Sequence, residues 1–188
     1  MKLHYWQYFL ALDEDFAATT RFVEPSSANM SCYSIEFARL LLSVGSEVDV
    51  LCKVLCNEHG LTPVPEKING YREAITKKFP LFTSLEIFVP RYNLSYTPWL
   101  SWSNGTTPGW WHAYNNVKHE RHGNFSEANL ANVIEAMSGL FTLVCYVCHQ
   151  EISSRQAAPW PKVFDLDPKL SSFISTNFKP GHILPDFN

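Results

Sequence analysis

The stretch FARLLLSVGSEVDVLCKVLCNEHG, residues 37–60, decides the fold, because it has the clearest periodic pattern in the chain. Six apolar side chains recur in alternating steps of four and three residues: Phe37, Leu41, Val44, Val48, Leu51 and Leu55. This is the stripe that a bundle helix presents to its neighbours. His59 and Gly60 close the stretch as a helix C-terminus commonly does. The stretch therefore predicts a long amphipathic helix inside a helical bundle.

Other segments with helical periodicity lie on both sides of this stretch. Apolar residues recur at helical spacing in 5–23, 68–79, 110–122 and 124–150. Asn124 and Glu127 have the spacing of a capping box, which predicts that the last helix begins near Asn124 or Ser126. We therefore predict an all-α protein, a bundle of about five helices within residues 1–150.

Two segments have a different composition. Residues 81–109 combine the β-favouring stretch LEIFV with prolines, glycines and tryptophans, which predicts a long insertion, either irregular or with a short hairpin. Residues 151–188 contain five prolines. They predict an extended tail that packs on the bundle, with one helical turn over 168–174.

Composition and charge narrow the class of protein. The chain has 188 residues, of which 46% are hydrophobic and 18% charged, as in an ordinary globular domain. Its formal net charge of −3 gives no broad cationic field, so we expect neither duplex DNA nor a membrane as a partner. Asp13, Glu14 and Asp15 interrupt any signal peptide, and no segment approaches the roughly 20 apolar residues of a membrane span. We therefore predict a cytoplasmic protein.

Four of the five cysteines lie inside predicted helices: Cys52, Cys56, Cys145 and Cys148. With His149 they could bind structural zinc if the two helices were neighbours, but zinc sites more often use cysteine pairs on loops. We expect reduced core thiols instead. The segment HERH, residues 119–122, lacks the His-Glu-x-x-His spacing of zinc proteases. The sequence therefore predicts neither a metal nor another cofactor.

The segment WWHAYNNVKHERH, residues 110–122, concentrates the side chains that carry chemistry. At about 100° per residue, Trp110, Tyr114 and Val117 share one side of a helix, which we expect to pack inward. The opposite side carries four polar side chains: His112, Asn115, His119 and His122. The segment therefore predicts a helix with a packed side and a polar side.

This combination suits the cleavage of RNA without a metal ion. Histidine exchanges protons near neutral pH, so one group can take the proton of a 2′-hydroxyl while another protonates the leaving oxygen. The flanking cations Lys118 and Arg121 can hold the phosphate and stabilise its developing charge. We expect His119 to be the acid/base residue and Asn115 to orient the reacting groups. The alternative is a solvated helix face without chemistry, in which Asn115 bonds a neighbouring loop.

The string Tyr-Asn-Asn-Val-Lys-His, residues 114–119, resembles the signature region of HEPN domains, the higher eukaryote and prokaryote nucleotide-binding superfamily. Many members are bundles of four or five helices, and their usual motif is an Arg, often followed by Asn, with a His further on. At the matching positions this chain has Tyr114, Asn115 and His119. Since the Arg is held to engage the scissile phosphate in ribonuclease members, Lys118 or Arg121 would have to replace it here.

The resemblance also implies partners. Two motif helices commonly face each other in this superfamily, so it implies a homodimer, with which Gly45 on the long predicted helix is compatible. RNA would be the substrate, in contact with the side chains of Trp111, His112, Tyr114 and His122. The tryptophans could stack on unpaired bases, or they could be buried anchors of the insertion.

Two functions follow from these observations. The first is an RNA-directed effector of a toxin–antitoxin system or of phage defence, acting as a metal-independent endoribonuclease. The second is a non-catalytic interaction or scaffold module with a protein partner. Tyr114 at the Arg position and the negative net charge favour the second function.

Overall fold

The computed structural model describes residues 2–60 and 67–166, and within them the chain is mostly helical. The helices in this part of the chain are α1 (Leu3–Thr19), α2 (Ile35–Glu58), α3 (Ile68–Lys78), α4 (Gly109–Asn124), α5 (Leu130–Val147) and α6 (His149–Ser153). The prediction of a mainly helical bundle is confirmed. The short helix α6 follows directly on α5 and was not predicted as a separate element.

Helix α2 forms as its periodic stretch predicts. Its first turn is capped by Ser34, whose Oγ accepts a hydrogen bond from the N–H of Phe37 at 3.0 Å. All the apolar residues of the predicted stripe are buried. The helix ends just before His59 and Gly60, and Gly60 has the left-handed φ of 66° that glycine adopts without strain.

Helix α5 is the centre of the core and packs mainly on α2. Its N-cap is Asn129, whose side chain accepts a hydrogen bond from the N–H of Asn132 at 3.0 Å. The predicted start at Asn124 and Glu127 is therefore wrong. Helix α4 continues to Asn124, and a short 3-10 turn that includes Glu127 separates the two helices.

In the described part of the chain, α5 is the helix that is long and apolar enough to span a membrane, with a mean hydropathy of 1.6 over 18 residues. This corrects the expectation that no segment has that character. Most of α5 is buried by the rest of the fold. A helix that is apolar on all sides is stable in a folded protein when the other elements bury it on all sides, so α5 has the character of a core helix.

The insertion contains a small sheet, so the all-α prediction is corrected to a helical bundle with a minor β component. Strands β1 (Ile87–Val89) and β2 (Leu94–Tyr96) form an antiparallel hairpin, and β3 (Asp165–Leu166) pairs antiparallel with the other edge of β1. The β-favouring stretch LEIFV supplies β1. Strand β3 comes from a distant part of the chain, and no local pattern predicts that pairing.

Buried tryptophans attach the insertion to the bundle. Trp99 and Trp102 are buried with their ring centroids 4.3 Å apart. The indole N–H of Trp99 donates to the carbonyl of Gly139 at 3.1 Å, and that of Trp110 donates to the carbonyl of Pro98 at 3.0 Å. An aromatic body in the core with a bonded N–H is the usual state of a structural tryptophan. These rings are therefore anchors of the insertion.

The chain after α6 runs back over the bundle as far as β3. The buried carboxylate of Asp13 on α1 accepts hydrogen bonds from the backbone N–H groups of Lys162 and Val163, at 2.6 and 3.1 Å. These bonds attach the returning segment to α1. Helix α6 occupies the start of the segment predicted as a tail. The helical turn predicted over 168–174 lies outside the described residues.

Candidate functional site

Helix α4 carries every residue of the predicted site, and its inner side packs as predicted. Trp110, Tyr114 and Val117 are buried, and so are Trp111 and Ala113. The Trp111 ring centroid lies 5.8 Å from that of Trp110 and 5.1 Å from that of Tyr114. The rings of Trp111 and Tyr114, which we expected to contact substrate, therefore have little free surface on which a base could stack.

Tyr114 joins α4 to α2. Its side chain is 4% exposed and fills the space that Gly45 leaves open. A Cβ atom on Gly45 would lie 2.3 Å from Cδ2 of the tyrosine ring, so a larger residue cannot occupy this position without a shift. The ammonium group of Lys118 lies 5.3 Å from the ring centroid, which is a cation–π distance. At the position of the family's arginine, this chain thus has a packing residue beside a lysine.

The outer side of α4 carries His112, Asn115 and His119 at helical spacing. Both histidines are exposed, and neither ring hydrogen-bonds to another residue of the described chain. The Nδ2 atom of Asn115 donates to the carbonyl of Trp111 at 2.8 Å, so this amide bonds its own helix and not a neighbouring loop. Residues three or four apart on a helix have Cβ atoms roughly 5–6 Å apart. Asn115 is therefore a neighbour of both histidines.

The regular part of α4 ends at His119, because Glu120 has the non-helical angles φ −145° and ψ 60°. Two asparagines hold the bend. The Nδ2 atom of Asn124 donates to the carbonyl of Glu120 at 3.0 Å, and that of Asn116 donates to both carboxylate oxygens of Glu127, at 3.1 and 3.0 Å. The helical projection made from the sequence therefore holds only for the residues before this bend.

Before the bend, Asn115 and Lys118 line a groove of about 550 Å³ between α4, α2 and the start of α3, here called the polar groove. Helix α2 contributes Ser46 and Asp49 to it. The Asp49 carboxylate is already engaged, since it accepts a hydrogen bond from the hydroxyl of Tyr71 at 2.9 Å. The polar groove therefore offers lysine, amide and hydroxyl groups to a ligand.

Beyond the bend, Arg121 and His122 face a second groove, of about 870 Å³, between α4 and the N-terminal half of α2. This apolar groove is lined by Ile35, Ala38, Arg39, Leu42, Arg121, His122 and Phe125. The residues predicted to act in catalysis are therefore divided, because Arg121 lies in the apolar groove and not with Asn115 and Lys118. His122 likewise leaves the stripe that we predicted for it.

The four cysteines of the helices are core residues and are completely buried. Burial raises the pKa of the Cys56 thiol to about 11 and that of Cys148 to about 12, so a thiolate does not form near neutral pH. Within residues 2–60 and 67–166, no three His, Cys, Asp or Glu side chains are placed to hold a metal ion. The zinc-site alternative finds no support there.

The bend and the division into two grooves were not predicted. The asparagines Asn116 and Asn124 are the sequence signal that accompanies the bend, since asparagine side chains compete with helical backbone bonding. That signal alone does not fix the position of the bend at Glu120. The grooves depend on how α2 approaches α4, which is a tertiary property.

Comparison of the chain with protein-family models, with curated proteins and with solved structures gives no match. The HEPN resemblance therefore rests on the string at residues 114–119 and on the long apolar helix α5 that follows it.

Proposed function

We propose that this protein is an HEPN-like, RNA-directed effector that contacts RNA through the outer side of α4. The observation that carries the proposal is the outer side of α4, where the half-buried Asn115 lies between the exposed His112 and His119, with the exposed Lys118 on the same helix. Two imidazoles without internal partners, an amide and an ammonium group on one helix surface match the chemistry of a ribose and its phosphate. Because the net charge of −3 provides no broad cationic field, we assign the contact with RNA to this local cluster.

In the catalytic form of the proposal, His119 removes the proton of a ribose 2′-hydroxyl. The 2′-oxygen then attacks the adjacent phosphorus, the bond to the 5′-oxygen breaks, and the leaving 5′-oxygen takes up a proton. Lys118 precedes His119 in the sequence and lines the polar groove, from which it balances the charge on the phosphoryl oxygens. Arg121 receives no role in this step because it faces the other groove. The products are a 2′,3′-cyclic phosphate and a 5′-hydroxyl, and no cofactor is needed.

The proton for the leaving oxygen needs a second acid close to His119. His112 is two turns away, about 10 Å along the helix axis, which is too far for both imidazoles to act on one phosphate. A second copy of the chain can supply its own His119. The proposal therefore includes a homodimer in which the outer sides of two α4 helices face each other across the RNA.

The experiment compares purified wild-type protein with His119→Ala on mixed tRNA and mRNA, with EDTA present to remove metal ions. His4→Ala is the matched control, since His4 is an exposed histidine on α1. We expect cleavage by the wild type and the control and a loss of at least about 100-fold in His119→Ala, the usual effect of removing a general acid/base. Equal cleavage by all three proteins would show that a contaminant or another site is responsible.

A cellular experiment tests the effector role in toxin–antitoxin systems or phage defence. Induced expression of the wild type should arrest growth and fragment RNA, whereas His119→Ala expressed at the same level should do neither. Growth arrest by both proteins alike would separate toxicity from the α4 surface and contradict the proposal.

A second function, a non-catalytic interaction module, is favoured by one specific observation. Tyr114 stands where the family has its arginine, and its ring is committed to packing on Gly45. A module of this kind binds RNA or a protein without turnover. Binding of RNA by the wild type with no product after long incubation would favour this second function over the ribonuclease.

A further inference from the structure

We propose that the apolar groove docks an amphipathic α-helix with acidic flanks, supplied by a partner protein. This proposal goes beyond the RNA-directed function and does not rest on it, because the groove lies beyond the bend of α4, apart from Asn115 and Lys118.

The floor of the groove is an apolar row on α2 that the core covers only in part: Ala38 is buried, Leu42 is half-buried and Ile35 is exposed. Ile35, Ala38 and Leu42 follow one another in steps of three and four residues, and Phe125 faces them from the end of α4. Ile35 is 75% exposed, although α2 buries its other apolar stripe completely. An exposed isoleucine beside the half-buried Leu42 and Phe125, in a groove of about 870 Å³, fits a binding surface better than an isolated exposed side chain.

The spacing of this row indicates the form of the occupant. Ile35 and Leu42 are two helical turns apart, about 10 Å along the axis of α2. A partner helix presents apolar side chains at positions i, i+3 or i+4, and i+7 over the same distance. The exposed ring of Tyr33 extends the apolar surface, since it packs edge-on against Phe125 at 5.4 Å between centroids.

The polar side chains that line the groove are all of basic residues: Arg39, Arg121 and His122. Arg39 is bonded by the carboxylates of Glu36 and Asp15, which are not among the lining residues. Arg121 makes no ion pair with any residue of the described chain. A partner with Asp or Glu beside its apolar residues would therefore associate faster and more specifically, because its carboxylates would be attracted to Arg121.

The same charges disfavour a second copy of this chain as the occupant. A symmetric dimer places a patch against itself, so the Arg121 guanidinium of one copy would approach that of the other. An amphipathic helix with acidic flanks complements both the apolar floor of the groove and its basic side chains.

The experiment uses three fluorescent helical peptides with identical leucine positions and with glutamate, glutamine or lysine at the flanking positions. Their binding to the full-length protein is followed by fluorescence anisotropy. We expect the glutamate peptide to bind at least about tenfold more tightly than the lysine peptide, and this difference should shrink as salt is added. Equal binding of the three peptides, or binding of none, would overturn the proposal.

Two variants identify the groove as the binding site. Ile35→Asp should weaken the glutamate peptide at least about tenfold, and Arg121→Glu should reverse the order of the glutamate and lysine peptides. Phe22→Asp is the matched control, since Phe22 is exposed and lies outside the groove. Unchanged circular dichroism of each variant shows that the fold is kept, and a loss of binding in Phe22→Asp alone would overturn the assignment.

Sedimentation of the wild type and Ile35→Asp decides between the partner and a second copy. The proposal expects Ile35→Asp to leave the oligomeric state unchanged. Dissociation of a wild-type dimer by Ile35→Asp would show that a second copy covers the groove, and it would overturn the proposal of a partner helix.

Discussion

The inner and outer sides of α4 differ sharply in burial. On the inner side, Trp110 and Tyr114 are buried and meet α5 and α2 so closely that Gly139 and Gly45 have no room for a Cβ atom. On the outer side, His112 is exposed and bonds to no described residue. One helix therefore combines a side that the fold requires with a side that the fold does not use.

This difference separates the two kinds of effect that a substitution can have. A change on the inner side removes packing or creates a clash, so it lowers the free energy of unfolding. A change on the outer side leaves the fold intact, so any effect that it has must come from the function. The predictions below are ordered by their expected effect on stability, from the largest to the smallest.

The largest effect is expected from Trp110→Ala. Its ring is completely buried and its N–H is bonded to the carbonyl of Pro98, so the substitution leaves a large cavity and an unpaired carbonyl. We expect the free energy of unfolding to fall by about 4 kcal/mol. Urea denaturation measures it, with His112→Ala on the outer side as the control, which should stay within about 0.5 kcal/mol of the wild type. Similar losses in both variants would contradict the distinction between the sides.

A smaller effect is expected from Gly45→Ala. The new methyl group would meet the Tyr114 ring at 2.3 Å, and the overpacking should cost about 2 kcal/mol despite the better helix propensity of alanine. Gly109→Ala is the control, since no other atom lies within 4 Å of a Cβ built there. The double variant with Tyr114→Ala should lose less than the sum of the single losses. A Gly45→Ala protein more stable than the wild type would refute the close approach of α2 and α4.

The smallest of the three effects is expected at the connection between α4 and α5. Asn129→Ala removes the side chain that caps α5 through the N–H of Asn132, and it should cost about 1 kcal/mol. Asn104→Ala, at an exposed position of the insertion, is the control and should have little effect. Thermal unfolding by calorimetry compares them, and equal melting temperatures would argue that α5 begins elsewhere.

The sequence predicted the inner side of α4 better than its outer side, for a physical reason. Burial follows the helical period, so Trp110, Tyr114 and Val117 were placed correctly from their spacing alone. The outer stripe was predicted one turn too long, because the chain leaves helical geometry at Glu120. The projection assumed a regular helix up to His122, and nothing in the periodicity contradicts that assumption.

The same limit explains the other differences between sequence and structure. Strand β3 pairs with β1 across most of the second half of the chain, and the start of α5 was assigned to one asparagine instead of another five residues later. In each case a local pattern had two acceptable outcomes, and long-range contacts selected one. The two grooves beside α4 belong to this class, since they exist only after α2 has packed against it.

The most direct test of the account measures RNA cleavage and the free energy of unfolding on the same samples of wild type, His119→Ala and the control His4→Ala. The account predicts that His119→Ala keeps the wild-type free energy of unfolding within about 0.5 kcal/mol. It also predicts that cleavage with EDTA present falls at least about 100-fold in this variant alone. Equal cleavage in all three proteins, or a loss of stability that accounts for the lost activity, would contradict the assignment of function to the outer side of α4.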